Sequence, residues 1–324
     1  MTIAGTAALC GIRATSASAE PPPETTTISL AHADVLCFNA PWYVAEELLR
    51  TEGFTDVQYI SGLDSSAYDQ ALAAGQTYFG MTFAGQHVVQ IDAGDPIVLI
   101  AGLHVGCYEL FGTNRIRTLR DLNGKTVAVT SLGSGRHIFL ASILAHIGLD
   151  IRKDVNLVTH PPAQAMRLLS EGKIDAFMAF PPEPQELRAR KVGHVLLNTA
   201  TDRPWSHYFC CTLAGNRDFV RAHPVATRRA LRALLKAVDI CADDPARAAQ
   251  ALVQRGVKTQ RDYVLQAMQE IPWSRWRDYD PEDTVRFYTL RLHDVGMVKS
   301  TPQQIISEAT DWRFLNQLRK ELKG

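Results

Sequence analysis

One pattern occurs twice in this chain. Residues 27–54, "TISLAHADVLCFNAPWYVAEELLRTEGF", run from a β-branched strand through a loop into a helix, and residues 126–149, "TVAVTSLGSGRHIFLASILAHIGL", repeat that order. Each helix stops at a glycine, Gly53 or Gly148, the residue that most readily takes the left-handed conformation at a helix end. A second short strand follows ("DVQYIS", "DVNLVTH"), and then a helix that closes on Gly75 or Gly172 and leads into a third, apolar strand. Thus "YDQALAAGQTYFGMTF" matches "PAQAMRLLSEGKIDAFMAF", and the glycines of each pair lie 22 and 24 residues apart. A β-α-β-α-β unit buries its apolar faces as a parallel sheet with helices packed on it. Two units of matched length predict an α/β architecture of two lobes, each a mostly parallel sheet flanked by helices, with a cleft between them.

Between the units, "DPIVLIAGLHVGCYELFGT" is long and strand-like and suits a crossover from one lobe to the other. "GHVLLNT" reads as a further strand and "WSHYFCCTLAG" as the return. From Asn216 the pattern turns helical. "NRDFVRAHPVATRRALRALLKAVDICADDP" is amphipathic and ends at Asp244-Pro245, with four more helical stretches running to Lys323. The basic residues of "RRALRALLK" share one face, as on a solvated surface. These divisions place a leader and disordered linker over 1–26, the first part of lobe 1 over 27–112, lobe 2 over 113–208, and the return to lobe 1 with a helical C-terminal section over 209–324.

Length and charge narrow the function. A chain of 324 residues with zero formal net charge is long enough for about two domains, and its neutral balance argues against a nucleic-acid surface. No run of about 18 apolar residues is available to span a bilayer. The first residues, "MTIAGTAALCGIRATSASAEPPPETT", lack a basic start but carry a short apolar stretch, a small-x-small cleavage pattern at Ala17-Ser18-Ala19 and a proline-rich tail. They read as an export signal and predict a periplasmic protein. Behind the leader remain Cys37, Cys107, Cys210, Cys211 and Cys241, an odd number without the spacing of a disulfide framework. Neither Cys210-Cys211 nor His104-x-x-Cys107 has a partner pair at zinc-finger spacing, so buried inert thiols, no metal and no cofactor are expected.

The stretch "TVAVTSLGSGRHIFL" looks at first like a phosphate cradle, because a strand-loop-helix turn aims backbone N–H groups and a helix dipole at one spot. Named residues exclude the nucleotide versions. A Walker loop needs a lysine and a hydroxyl where Arg136 and His137 stand; a dinucleotide fingerprint needs glycine at Ile138 and an acid where His160 closes the next strand. What remains is a loop suited to a polar or anionic ligand, built from Gly133, Ser134, Gly135, Arg136 and His137. Conventional catalysis has no support: there is no G-x-S-x-G elbow, no H-E-x-x-H and no glycosidase-like pair of carboxylates.

Several stretches, "DLNGKTVAVTSLGS", "LASILAHIGLD", "LLSEGKIDAFMAFPPEP" and "AHPVATRRALRALLKA", resemble the type II periplasmic solute-binding proteins of ABC importers. Within them the resemblance is to the nitrate, sulfonate and taurine group, whose relatives include thiamine-pyrimidine-precursor binders and synthases. It covers about residues 27 to 260. The resemblance implies a monomer that captures a small-molecule ligand in the interlobe cleft by hinge closure and presents it to an ABC transporter permease in the inner membrane. It also implies ligand contacts from loops at the carboxyl ends of strands. In the first lobe these are "CFNAPWY", with Asn39 as a helix cap, Pro41 in the first turn and Trp42 and Tyr43 as flat walls, and then Thr82, Phe83 and Ala84. In the second lobe they are the Gly133–His137 loop, Phe180, Pro181 and Glu183, with Tyr108 in the crossover between the lobes.

Two helix N-termini and Arg136 favour an anion such as a sulfonate, whereas Glu183 prefers an amine or a ring N–H. Together they point to a sulfonate, a pyrimidine-like solute or an aromatic zwitterion. Two other functions share the fold. One is a pyridoxal-dependent pyrimidine synthase, of whose cysteine-rich iron motif "FCC" at 209–211 is a fragment lacking the further cysteines. The other is a ligand-sensing receptor.

Overall fold

The computed structural model describes residues 20–32, 35–61 and 65–322, so the leader expected over the first residues lies largely outside them. The first repeat gives β1 (Thr27–Ala31), α1 (Leu36–Thr51), β2 (Asp56–Ile60), α2 (Ser65–Ala73) and β3 (Phe79–Phe83), continued by α3 (Ala84–Asp92) and β4 (Ile97–Val105). After β5 (Glu109–Gly112) comes the second: β6 (Thr126–Val129), α4 (Gly135–His146), β7 (Asn156–Thr159), α5 (Pro162–Ser170) and β8 (Ala176–Ala179), continued by α6 (Glu183–Ala189) and β9 (His194–Asn198). The return strand is β10 (Phe209–Asn216). The helical section comprises α7 (Arg217–Ala222), α8 (Pro224–Asp243), α9 (Pro245–Gln254), α10 (Arg261–Glu270), α11 (Pro281–Asp294), α12 (Pro302–Ala309) and α13 (Arg313–Glu321).

The two sheets have one plan. Their orders are β2-β1-β3-β10-β4 and β7-β6-β8-β5-β9. In each, four strands share a direction and one, β10 or β5, runs against both neighbours. The reversed strand is in both cases the one that carries the chain between sheets, so each sheet is completed by a connection to the other. Gly53, Gly75, Gly148 and Gly172, with φ of 103°, 71°, 82° and 66°, terminate the helices of the repeats in the left-handed region, as the matched glycines predict.

Three expectations change. The long strand expected between the repeats breaks at Gly106 and Cys107, whose φ values are 79° and 84°. β4 therefore ends in the first sheet, β5 begins in the second, and the crossover lies at 106–108 rather than at the expected boundary of 112. The single helix expected from Asn216 is split at His223 (φ −128°, ψ 61°), because the residue before Pro224 is driven out of the helical region; after it come five helices, not four. Residues 20–26, expected as part of a disordered linker, are held on α8. The Glu24 carboxylate accepts the N–H groups of Val225 and Ala226 at 2.9 and 2.7 Å, filling orphan donors of that helix start. Glu20 pairs with Arg228 and Arg232, and Arg232 also binds the buried Glu52 at the end of α1.

One apolar cluster runs through both sheets, joining Leu30 and Phe83 to Met178 and Phe180, while a smaller one packs α5 and α6 against the far face of the second sheet around Phe111, Phe177 and Leu187. The C-terminal helices strap the two halves together: α11 packs on both α3 and α4, and Glu270 of α10 binds Gln185 and Arg188 of α6. Among the described residues no helix is long and apolar enough to cross a membrane.

Two neighbouring strands of the first sheet, β4 and β10, approach tightly. A Cβ at Gly102 of β4 would lie 2.2 Å from the ring of the wholly buried Phe209 of β10. Gly102→Ala is therefore expected to lower stability by about 2–3 kcal/mol, the scale of an overpacked core, as read by urea unfolding; an unchanged midpoint would show that Phe209 moves aside freely.

Candidate functional site

The ends of β3 and β8, expected to border an open cleft, are bridged by aromatic rings from the crossover, α4 and α11. Phe83 is wholly buried, with its ring centroid 4.8 Å from Phe139 of α4 and 4.8 Å from Tyr288 of α11. Tyr108, in the crossover, lies 4.8 Å from Phe139 and 4.7 Å from Phe180, and Phe38 of α1 meets Phe180 edge-on at 5.9 Å. Tilted and edge-to-face contacts of this kind are the favoured geometry for aromatic pairs. Phe83 and Phe180 are apolar, and packing them against Tyr108 and Phe139 removes both from water. Thr82, Phe83, Tyr108 and Phe180 thus lie in the interior of a closed seam.

The glycine loop abuts that seam. A Cβ on Gly135 would stand 2.7 Å from the Tyr108 hydroxyl and 3.1 Å from Gln86 Oε1, so α4 reaches the first lobe this closely only because the residue has no side chain. Ser134 caps the helix, accepting the His137 N–H at 3.4 Å and donating to the Ser131 carbonyl at 2.6 Å. Gly133 (φ 77°) donates its N–H to His137 Nδ1 at 3.0 Å. Burial pushes the His137 pKa down, in keeping with a neutral ring that accepts.

Arg136 and Glu183, whose opposite charges favour different ligands, neutralise each other. Arg136 grips the Glu183 carboxylate through both terminal nitrogens, one at 2.8 Å, and donates to the Met178 carbonyl at 3.2 Å. Its guanidinium stands 5.7 and 5.8 Å from the ring centres of Phe177 and Phe180. Glu183 also accepts the Phe180 N–H at 3.0 Å. Burial alone would lower the Arg136 pKa; the Glu183 carboxylate reverses the direction and holds the guanidinium charged. The pair fastens the β8–α6 corner to α4 and is spent inside the second lobe.

Open space survives at one end of the seam, in a cavity of about 430 Å3. It is lined by His32 after β1, Leu36, Asn39 and Tyr43 along α1, Pro182 of the second lobe, and the loop 255–259 between α9 and α10. Asn39 is not a helix cap, because burial of Leu36, Cys37 and Phe38 starts α1 three residues earlier; Pro41 then falls inside the helix. Asn39 Nδ2 instead lies 3.1 Å from His32 Nε2, which also meets the Tyr43 hydroxyl. Arg255 pairs with Glu46 and lies over the rings of Tyr43 and Tyr59, at 5.0 and 5.4 Å from their centres. Lys258 adds a cation to the lining, and no described lining residue is a carboxylate. Of the residues expected at the site, only Asn39 and Tyr43 reach this space; Trp42, 1% exposed, packs in the core.

His32, Leu36, Pro182 and the 255–259 loop were missed. His32 and Pro182 follow strand ends, where the rim rule could have found them. The loop belongs to the helical section, and nothing in the repeat relates it to the lobes.

The comparisons with known proteins agree with this architecture. The model of the NMT1-like family matches residues 70–255. The bicarbonate-binding protein CmpA of Synechococcus sp. (strain ATCC 27144 / PCC 6301 / SAUG 1402/1) is 31% identical over 109 residues, which are 34% of this chain and 24% of that protein. The match thus spans about a quarter of that relative's length. Among solved structures, the periplasmic nitrate-binding protein NrtA from Synechocystis PCC 6803 superposes with a TM-score of 0.76 at 17% identity, covering 94% of this chain and 90% of that one. The desulfurization enzyme DSZB shares the fold at a TM-score of 0.65 and 16% identity, over 91% of this chain and 99% of that one.

Two outcomes follow for the seam. Glu183→Gln strands a buried guanidinium and should cost about 3–5 kcal/mol in urea unfolding, whereas the double variant Arg136→Met, Glu183→Leu should cost clearly less; equal losses would mean the pair is a surface feature. Thr82 donates to Gln86, whose amide donates at 2.8 Å to Asp69, and burial pushes that carboxyl up to about 7. A raised acid pKa means the folded state holds the proton more tightly, so this contribution is full below about pH 4, falls between about pH 4 and 7 and is gone above. Asp69→Asn should therefore flatten the decline in thermal stability between pH 5 and 8, and an unaltered pH profile would exclude Asp69 as its source.

Proposed function

The chain belongs to the NMT1-like family, and on that footing we propose that it is the ligand-capturing component of an ABC importer, exported to the periplasm, which presents a small organic anion to an inner-membrane permease. The observation that carries this reading is the cavity. Its volume of about 430 Å3 lies in the range of small-molecule sites, and its lining sets Arg255, Lys258 and His32 beside the flat wall of Tyr43. A carboxylate or sulfonate would take the basic end, and an apolar or aromatic remainder would lie along Tyr43. The relatives named for bicarbonate and nitrate also handle anions. Glu183 no longer weighs toward a zwitterion, because Arg136 occupies it.

Both lobes contribute to the lining, α1 from the first and Pro182 from the second, so a ligand in contact with both favours the closed form by that differential contact. Closure also buries the aromatic seam, giving the permease a distinct shape to read. Cleavage after Ala19 would leave Glu20 at the start of the mature chain, where its carboxylate binds Arg228 and Arg232. The relatives matched by sequence are named for binding and transport, while the fold itself also serves an enzyme.

The test is mass spectrometry of small molecules released from the protein isolated from the periplasm. A small organic anion recovered unchanged is expected, and its re-addition at a hundredfold excess over Kd should stabilise the protein by about 2.7 kcal/mol. Lys258→Ala and Tyr43→Ala should each weaken its binding about tenfold or more, that is by about 1.4 kcal/mol. Release of an amine, or conversion of the bound molecule into a product, would overturn the reading.

A further inference from the structure

The cysteines that appear unrelated in sequence converge in the fold. Cys37 of α1, His104 near the end of β4, Cys107 in the crossover and Cys211 of β10 are all buried, and their ligand atoms lie within 4.8 Å of one another. We propose that these four side chains form a closed tetrahedral site for a single zinc ion. Sulfurs bound to one zinc at about 2.3 Å in tetrahedral geometry stand about 3.8 Å apart, and the Cys37 and Cys107 sulfurs are 3.8 Å apart here. Three thiolates and one imidazole are the donor set of structural zinc sites, and on binding the thiols release their protons.

Three further features converge on the same point. His104 Nδ1 lies 3.2 Å from the Val105 carbonyl, and a proton held there leaves Nε2 as the ligating nitrogen; Nε2 is buried with no hydrogen-bond partner among the described residues. The ring is steadied edge-on by Trp273 at 4.8 Å. Cys107 is one of two non-glycine residues with positive φ among those described, an unfavourable conformation that aims its sulfur into the cluster. The β10 ladder is irregular between Phe209 and Thr212, and such bulges re-aim side chains, here letting Cys210 and Cys211 approach the same place. Cys210, only 3.1 Å from the Cys107 sulfur, is too close to share a tetrahedron with it and sits beside the site as an outer thiol. The ion would tie both connections between the lobes to α1, at the residue preceding Phe38 of the seam and Asn39 of the cavity.

The full chain, purified without oxygen from zinc-supplemented cells, should carry one zinc per molecule by elemental analysis. The metal-stripped protein should give, with cobalt(II), the intense visible bands and thiolate charge-transfer absorption of a tetrahedral sulfur site. Cys211→Ser and His104→Gln should weaken zinc binding by more than about 100-fold, since loss of even an outer-shell partner costs about 10–100-fold. Cys241→Ser, at a buried thiol outside the cluster, should leave the stoichiometry unchanged. Absence of zinc together with an octahedral cobalt spectrum, a Cys107–Cys210 disulfide in the anaerobic protein, or unaltered zinc affinity in both ligand variants would overturn the proposal. Should the variants fail to fold, the cobalt spectrum of the unaltered chain decides, and it does so whether or not the cavity holds an anion.

Discussion

The aromatic seam is the constraint on which the rest of the structure depends. Phe38 and Phe83 come from the first lobe, Phe139 and Phe180 from the second, Tyr108 from the crossover and Tyr288 from the C-terminal strap. Each is buried, so the two sheets share one continuous apolar core although each has its own strand order and its own helices. Parting the lobes would expose these rings to water at roughly 25 cal/mol for each Å2 of apolar surface. That cost holds the two sheets together, and the cavity lies at the end of the seam, between α1 and Pro182.

Much of the fold was legible because it rests on periodicity and backbone chirality. The glycine pairs at 53 and 75 and at 148 and 172 mark helix ends made in the left-handed conformation, and the sheets repeat as the glycines do. The break at 106–108 was less visible, because Cys107 adopts positive φ without being glycine or asparagine. Pro41 misled for a related reason: proline suits a first turn, but burial of Leu36, Cys37 and Phe38 outweighs that preference and starts the helix earlier.

The site was less legible than the fold, since side-chain chemistry depends on what lies opposite. Arg136 and Glu183 are 47 positions apart, and nothing in either local sequence shows that they grip each other. Tyr43 and Asn39 line the cavity, and a rule about strand ends directs attention to α1. Arg255 and Lys258 line it too, but they arrive from a helical section with no counterpart in the repeat, so no local signal points to them. The cysteines illustrate the same limit: spacing rules detect ligands paired along the chain, whereas these come from a helix, two strands and a turn.

Three consecutive residues of α1 face three different neighbourhoods: Cys37 the sulfur cluster, Phe38 the seam and Asn39 the cavity. Successive positions on a helix are turned by about 100°, so α1 acts as a camshaft with three lobes on one axis. A small rotation of that axis shifts all three at once. A substitution at Asn39 that turned this axis would therefore be felt at the seam and at the sulfur cluster as well as at the cavity.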